Sequence, residues 1–344
     1  MEKIKVGVIG LGNIAQVIHL PILSKLENAQ LVALCDMEFQ RAKLLGERYK
    51  VKHVFKDYHD LLAMNEVDAV IIATPTNTHK EIATAAVKAK KHCLVEKPLA
   101  RTAKEAKEIL DVLNKSDVKM MVGMNQRFRP DAMVLKSFIE NGEIGDVFFV
   151  KCGWLKKNPV DRQWKTQKSV SGGGVFLDLG IMVLDLALWI LNFPEAHSVS
   201  AVNFERDTHD EHSADVEDFS SVLIRLKTGQ AITIDTGWNF EVDSDLLFCN
   251  VYGNEGFARV YPLKFHKKMN DRLINVTPEK IGSLEDIYKR SYYNELRHFI
   301  DAVSGLYPLS STAKDAYERM NIVDAIYKSA KTGKEVLVKR DSKK

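Results

Sequence analysis

Between residue 4 and about residue 125, short runs of Val, Ile and Leu alternate with segments whose apolar positions recur every three or four residues. The runs are IKVGVIG, QLVALCD, VDAVIIAT, KHCLVEKP and VKMMVGMN; the segments of helical period are Asn13 to Leu26, Glu38 to Tyr49, Thr78 to Ala89 and Thr102 to Asn114. This repetition predicts a parallel sheet covered on both faces, since unbroken apolar strands fit burial from both sides. After about residue 146 the rhythm changes. VFFVKCGW, HSVSAVNFE, VEDFSSVLIRL, QAITIDTGWNF, LLFCNVYG and FARVY follow with few helical segments between them. Thr228-Gly229 and Asn254-Glu255-Gly256 read as hairpin turns, so an open, mostly antiparallel sheet is expected. Helices from Leu284 to Ser304 and from Thr312 to Lys331 close the chain, with Ser310, Ser311 and Thr312 as capping candidates.

At 344 residues the chain exceeds one ordinary core, and the change of rhythm suggests domains 1–124 and 125–344. The fold class is α/β for the first and α+β for the second, whose last helices are free to pack back on the first. With 45% hydrophobic and 28% charged residues the composition is globular, and a formal charge of +3, inflated by the Lys-rich tail, offers no basic face for nucleic acid. The most apolar window, Val175 to Phe193, holds Asp178 and Asp185, which argues against a membrane role, and no targeting segment precedes the first strand. The four cysteines are scattered and the ten histidines show no ligand spacing. We therefore expect core thiols in a reducing cytoplasm and no metal.

The first strand ends in Gly10-Leu11-Gly12-Asn13-Ile14-Ala15, a GxGxxG pattern with alanine third. Two glycines permit a tight turn and let the backbone approach a pyrophosphate at a helix N-terminus, while Ala15 is small enough for close packing. Asp36 ends the second strand, about 20 residues on, where a carboxylate binds the adenosine ribose hydroxyls of NAD and repels the 2′-phosphate of NADP. NAD is thus expected over NADP, with Arg41 nearby as the group that would tolerate a phosphate. The polar turn Thr74-Pro75-Thr76-Asn77-Thr78-His79 follows the next apolar strand and should line the cofactor; Thr76, Asn77 and Thr78 are also helix-cap candidates. In Glu96-Lys97-Pro98 the residue before proline is pushed from the α region, so Lys97 should finish its strand in extended form beside the nicotinamide. Burial would make that lysine a usable proton carrier, with Glu96 placed to orient it.

These motifs, together with Gly123-Met124-Asn125-Gln126-Arg127-Phe128 and Gly172-Gly173-Gly174-x-x-x-Asp178-x-Gly180, resemble in order and spacing the Gfo/Idh/MocA oxidoreductases. The resemblance covers nearly the whole chain. It implies a Rossmann domain, a substrate domain whose sheet serves oligomer contacts (dimer or tetramer), and sugar, cyclitol or related polyol substrates. It also implies Lys97 and Asp178 as catalytic residues that meet substrate, cofactor contacts from Gly10, Gly12, Asn13, Ile14, Asp36, Thr74 to Asn77, His79, Glu96, Lys97 and Asn125, and a place near the substrate as well for Asn125; Arg127 is as readily a structural salt-bridge residue as a site residue.

The chain departs from the family four residues after Asp178, where the usual His or Tyr is Met182. A regular helix would put Asp178, Met182 and Asp185 on one face, with Asp185 structural. Methionine carries no proton, and a positioned acid or base is worth roughly 10²–10⁴ in rate. Lys97 with Asp178 and water, or another group such as Tyr292, Tyr293, His209 or His212, would have to serve. Arg162 and Trp164, in the Lys-rich loop before the glycines, are expected as a substrate wall with Met182. The readings are an NAD(H)-dependent sugar or polyol dehydrogenase, an NAD(H)-binding protein with little turnover, and a glycosidase or lyase using NAD without net redox change.

Overall fold

The structure, a computed structural model, describes residues 2–157, 164–206, 215–279 and 282–339. The chain forms two compact units, Met1–Met124 with Tyr292–Tyr317, and Asn125–Ser291 with Glu318–Lys344.

The first unit is built on six strands: β1 (Ile4–Ile9), β2 (Ala29–Cys35), β3 (His53–Phe55), β4 (Ala69–Ile72), β5 (His92–Val95) and β6 (Met120–Val122). All pair in parallel, in the order β3-β2-β1-β4-β5-β6. Sheet growth reverses between β1 and β4, and in such sheets ligands bind outside the carboxyl ends of the strands at that switch. Every β4 residue is buried, as a strand covered on both faces requires. Strand β3 and the helix Tyr58–Leu62 escape sequence periodicity because each spans only one turn or a few residues. The segment Tyr292–Tyr317 adds to this unit: Ser311 O accepts from Val122 N at 2.9 Å. Of the three cap candidates Thr312 is the cap, exchanging backbone-to-side-chain bonds with Asp315 at 3.1 Å each way.

The second unit carries β7 (Val147–Leu155), β8 (Ala196–Phe204), β9 (Phe219–Leu226), β10 (Ala231–Gly237), β11 (Leu246–Gly253), β12 (Gly256–Val260), β13 (Lys264–Met269), β14 (Arg272–Asn275) and β15 (Val336–Leu337). They form one sheet, antiparallel except where β7 and β10 pair in parallel. Alternation sends Val150, Cys152, Val222, Ile224, Ile232, Ile234, Cys249 and Val251 into the core. The stretch Lys168–Ile190 is long and apolar enough to cross a membrane, but 89% of its most apolar window is buried inside the protein. A one-turn helix Lys168–Ser171 ends at Gly172, and after the glycines a π turn at Phe176–Gly180 leads into the buried helix Ile181–Ile190 of this unit.

One charge lies at the centre of that core. Asp185 accepts from Arg127 Nε at 2.7 Å and Nη2 at 2.6 Å, and Arg319 Nη1 stands 2.6 Å from Oδ1. All three side chains are shut off from solvent. Burial pushes the Asp185 carboxyl up, but the two guanidinium charges outweigh it and hold the group below its usual range. Asp185→Ala should therefore lower stability by about 3–5 kcal/mol in a denaturant titration. A carboxyl whose folded-state value is depressed contributes fully above the ordinary aspartate range and loses that contribution as pH falls through the folded value. Stability should accordingly drop in acid for the native chain, and by a smaller increment for Asp185→Asn.

Candidate functional site

In the first unit the glycine loop leaves β1 with Gly10 at φ +89°, where a Cβ would lie 2.6 Å from Ala73 O. Glycine is needed there for both backbone angle and space. Around Gly12 nothing lies within 4 Å of where a Cβ would stand, which leaves its backbone open to a ligand. Asn13 is exposed, Ile14 half-buried and Ala15 buried against the sheet. Asp36 ties this loop to the end of β2: one oxygen accepts from Leu11 N at 2.7 Å, the other from Glu38 N at 2.8 Å. Arg41 Nη1 stands 3.2 Å from both oxygens, so the cation beside the site is engaged by the carboxylate. An open glycine backbone beside a carboxylate at the end of β2 fits the pyrophosphate and ribose diol of NAD.

The turn after β4 differs in detail from the expectation. The helix Thr76–Lys88 starts after Pro75, so Thr76, Asn77 and Thr78 lie inside its first turn and none is the N-cap. Thr76 is buried, Asn77 is exposed, and Thr78 Oγ1 lies 2.7 Å from Thr74 Oγ1. His79 is buried with its nitrogens 2.8 Å from Pro98 O and from Thr74 O. Both partners only accept, so a ring protonated on both nitrogens is needed to satisfy both. Burial pushes the imidazole down against these two carbonyls and the Glu96 charge. Both His79 nitrogens face backbone carbonyls, one in the turn after β4 and one after β5, and so join those two loops.

Strand β5 ends at Val95, and Glu96 N makes a last ladder bond to Ile72 O at 2.9 Å. Lys97 therefore lies in a bend beyond the strand, correcting the expectation that it finishes the strand, and it is half-buried. Its N–H donates to Glu96 Oε2 at 3.3 Å.

In the second unit each glycine of Gly172-Gly173-Gly174 has its own reason. Gly172 has φ +88°, a Cβ on Gly173 would meet the Tyr327 hydroxyl at 2.1 Å, and one on Gly174 would meet Glu217 O at 2.0 Å. The space is taken by Glu217, a buried carboxyl that accepts from Gly174 N and Phe176 N at 3.0 Å each and from the Tyr327 hydroxyl at 2.8 Å. Burial pushes its pKa up despite those donors. Glu217 thus caps the segment that presents Asp178.

Asp178 is 15% exposed, and Lys165 Nζ, 36% exposed, lies 3.3 Å from one of its oxygens. Trp238 Nε1 donates to the other at 3.3 Å, and Trp238 packs with Val175, Leu179, Val216 and Trp154. The π turn interrupts the regular helical projection assumed for Asp178, Met182 and Asp185, and the two aspartates have separate partners. Met182 is buried. Asn125, also buried, donates through Nδ2 to Ser291 Oγ at 3.0 Å. Trp164 is half-buried in the loop, whereas Arg162, His209 and His212 lie outside the described residues. Tyr292 and Tyr293 belong to the first unit. Sequence reasoning named Trp164, counted Lys165 only among the lysines of the loop that would suit an anionic substrate, and passed over Trp238 and Glu217; only strand β10 ending at Gly237 brings Trp238 to Asp178, and no local spacing reports that.

All four cysteines are free and buried, and among the described residues no group of three or more His, Cys, Asp or Glu could hold a metal ion. Residues 4–124 match a family model described as an oxidoreductase family with NAD-binding Rossmann fold, and residues 136–338 match its C-terminal alpha/beta domain. Similar proteins include D-glucoside 3-dehydrogenase of Escherichia coli K12, 26% identical over 97% of both chains. Inositol 2-dehydrogenase of Pseudomonas savastanoi pv. phaseolicola is 30% identical over 96% of this chain and 95% of that one. A solved levoglucosan dehydrogenase in complex with NADH shares the fold at a TM-score of 0.90 and 24% identity, covering 99% of this chain and 100% of that one. With both halves matched, the chain belongs to the Gfo/Idh/MocA family of NAD-binding oxidoreductases.

Proposed function

We propose that the protein is an NAD(H)-dependent dehydrogenase or reductase that acts at one carbinol carbon of a sugar, cyclitol or related polyol, with Lys97 in proton transfer. The observation that carries this reading is Lys97 just past the carboxyl end of β5, in the same unit as the open Gly12 backbone and Asp36. The names of the relatives, glucoside and inositol dehydrogenases, support the substrate class. NAD, when bound, supplies the hydride acceptor. Gly10 and Gly12 give the pyrophosphate its backbone cradle, and Asp36 holds the ribose hydroxyls. Lys97 takes the hydroxyl proton as the carbon is oxidised and returns it in reduction.

Asp178 supplies an acceptor for substrate hydroxyls, held in place by the Lys165 ammonium and the Trp238 indole. Methionine at 182 carries no proton, which leaves the transfer to Lys97. It also favours a second reading, cofactor binding with little turnover, because the usual proton carrier is missing there. We further propose a cytoplasmic homo-oligomer. Free thiols favour a reducing compartment. Half-buried Phe149, Phe219, Leu223, Tyr252 and Phe257 share one face of the second sheet with exposed Val202 and Phe204, which favours a partner copy there.

Lys97→Ala should reduce turnover of a polyol substrate by roughly 10²–10⁴ while NADH affinity, read by fluorescence titration, changes little. Full activity in that variant would remove Lys97 from the chemistry. Trp238→Phe deletes one donor to Asp178 and keeps most of the ring; it should raise KM for the polyol about tenfold and leave KM for NAD unchanged.

A further inference from the structure

We infer that His19 is a positioning residue for Lys97, acting through the carboxylate of Glu96. The inference rests on the reading of Lys97 as the proton-transfer group, but its geometry lies wholly within the first unit.

His19 ends the π turn Ala15–His19 that follows the glycine loop, and its side chain is 0% exposed. Its Nε2 lies 2.8 Å from Glu96 Oε1. A carboxylate oxygen at that distance accepts, so Nε2 is the nitrogen that carries the proton. The other nitrogen, Nδ1, is buried and has no hydrogen-bond partner among the described residues. The polar function of the ring is thus spent on Glu96, at the cost of one unanswered nitrogen that a leucine of similar bulk would avoid. Such a cost, borne by a π turn beside a ligand loop, points to a function for the bond it secures.

Glu96 is held from two sides. His19 takes Oε1, while Oε2 accepts from the Lys97 N–H at 3.3 Å, and Gly123 leaves the carboxylate its room, since a Cβ there would stand 3.4 Å from Oε2. Burial pushes the Glu96 carboxyl up, but the hydrogen bond from His19, the Lys97 charge and the Lys97 N–H outweigh it and keep the group below its usual value. Among the described residues, His79 of the helix Thr76–Lys88 also feels the Glu96 charge. Without His19, Oε1 is released to pair with the Lys97 ammonium and withdraw it from proton transfer.

The test is competitive acetylation of the cofactor-free full-length protein with acetic anhydride at alkaline pH, with Lys97 quantified by mass spectrometry against the exposed lysines. In His19→Leu, Lys97 should label severalfold more slowly than in the native chain; His19→Gln, whose side-chain amide can donate from the Nε2 position, should restore the native rate. In a Glu96→Gln background the His19→Leu change should have no further effect. In polyol oxidation, kcat of His19→Leu should fall about tenfold at unchanged KM for NAD, again with rescue by Gln. Unchanged Lys97 labelling in His19→Leu, failure of Gln to rescue, or a His19 effect that persists without the Glu96 carboxylate would overturn the inference. Should His19→Leu not fold, His19→Asn is labelled in its place, with the same slow rate expected. Labelling needs neither substrate nor cofactor, so a native protein that oxidises no polyol would defeat the proposed function and leave this inference to be decided by the labelling rates.

Discussion

A carboxylate withdrawn from water must be answered by donors, and in this chain several carboxylates that meet this condition fix the segments that carry candidate site residues. Asp36 binds the Leu11 and Glu38 amides and so fixes the glycine loop to the end of β2. Glu96 is caught between His19 and the Lys97 N–H. Glu217 gathers the Gly174 and Phe176 amides and the Tyr327 hydroxyl, which fixes the start of the segment carrying Asp178. Asp185 sits between two arginines in the core below. Each is a local electrostatic requirement whose solution joins residues far apart in sequence, and each leaves a chemical group at a defined place.

The architecture was largely legible because it is written in period. Apolar runs separated by helical segments can only be parallel strands with crossovers, and the turns at Thr228-Gly229 and Asn254-Glu255 announce hairpins directly. The principal residues were also legible, because glycines, Asp36, Lys97 and Asp178 stand at motif positions. Their partners were not. Lys165, Trp238, Glu217 and His19 reach the site through tertiary packing, and nothing in their own neighbourhoods distinguishes them from a surface lysine, a core tryptophan or a buried histidine. The two π turns, at Ala15–His19 and Phe176–Gly180, have no sequence signature in composition, and they shift the helical register that a spacing argument assumes.

Those two turns lie in segments that matter for chemistry, one presenting His19 to Glu96 and the other presenting Asp178 to Trp238 and Lys165. His79, another motif residue, ties the β4 turn to Pro98. Where the family resemblance implies His or Tyr after Asp178, this chain has buried Met182. On the proposed reading NAD takes the hydride, Lys97 moves the proton, and Asp178 with its indole and ammonium partners orients hydroxyls.

The central claim is hydride transfer from a polyol carbon. The most direct measurement incubates the enzyme with NAD and a panel of cyclitols and glycosides deuterated at their carbinol carbons, and then reads NADH by mass spectrometry. The account predicts deuterated NADH in equal amount to a keto product. Product formed without deuterium in NADH, or no reduction of NAD by any member of the panel, would contradict it.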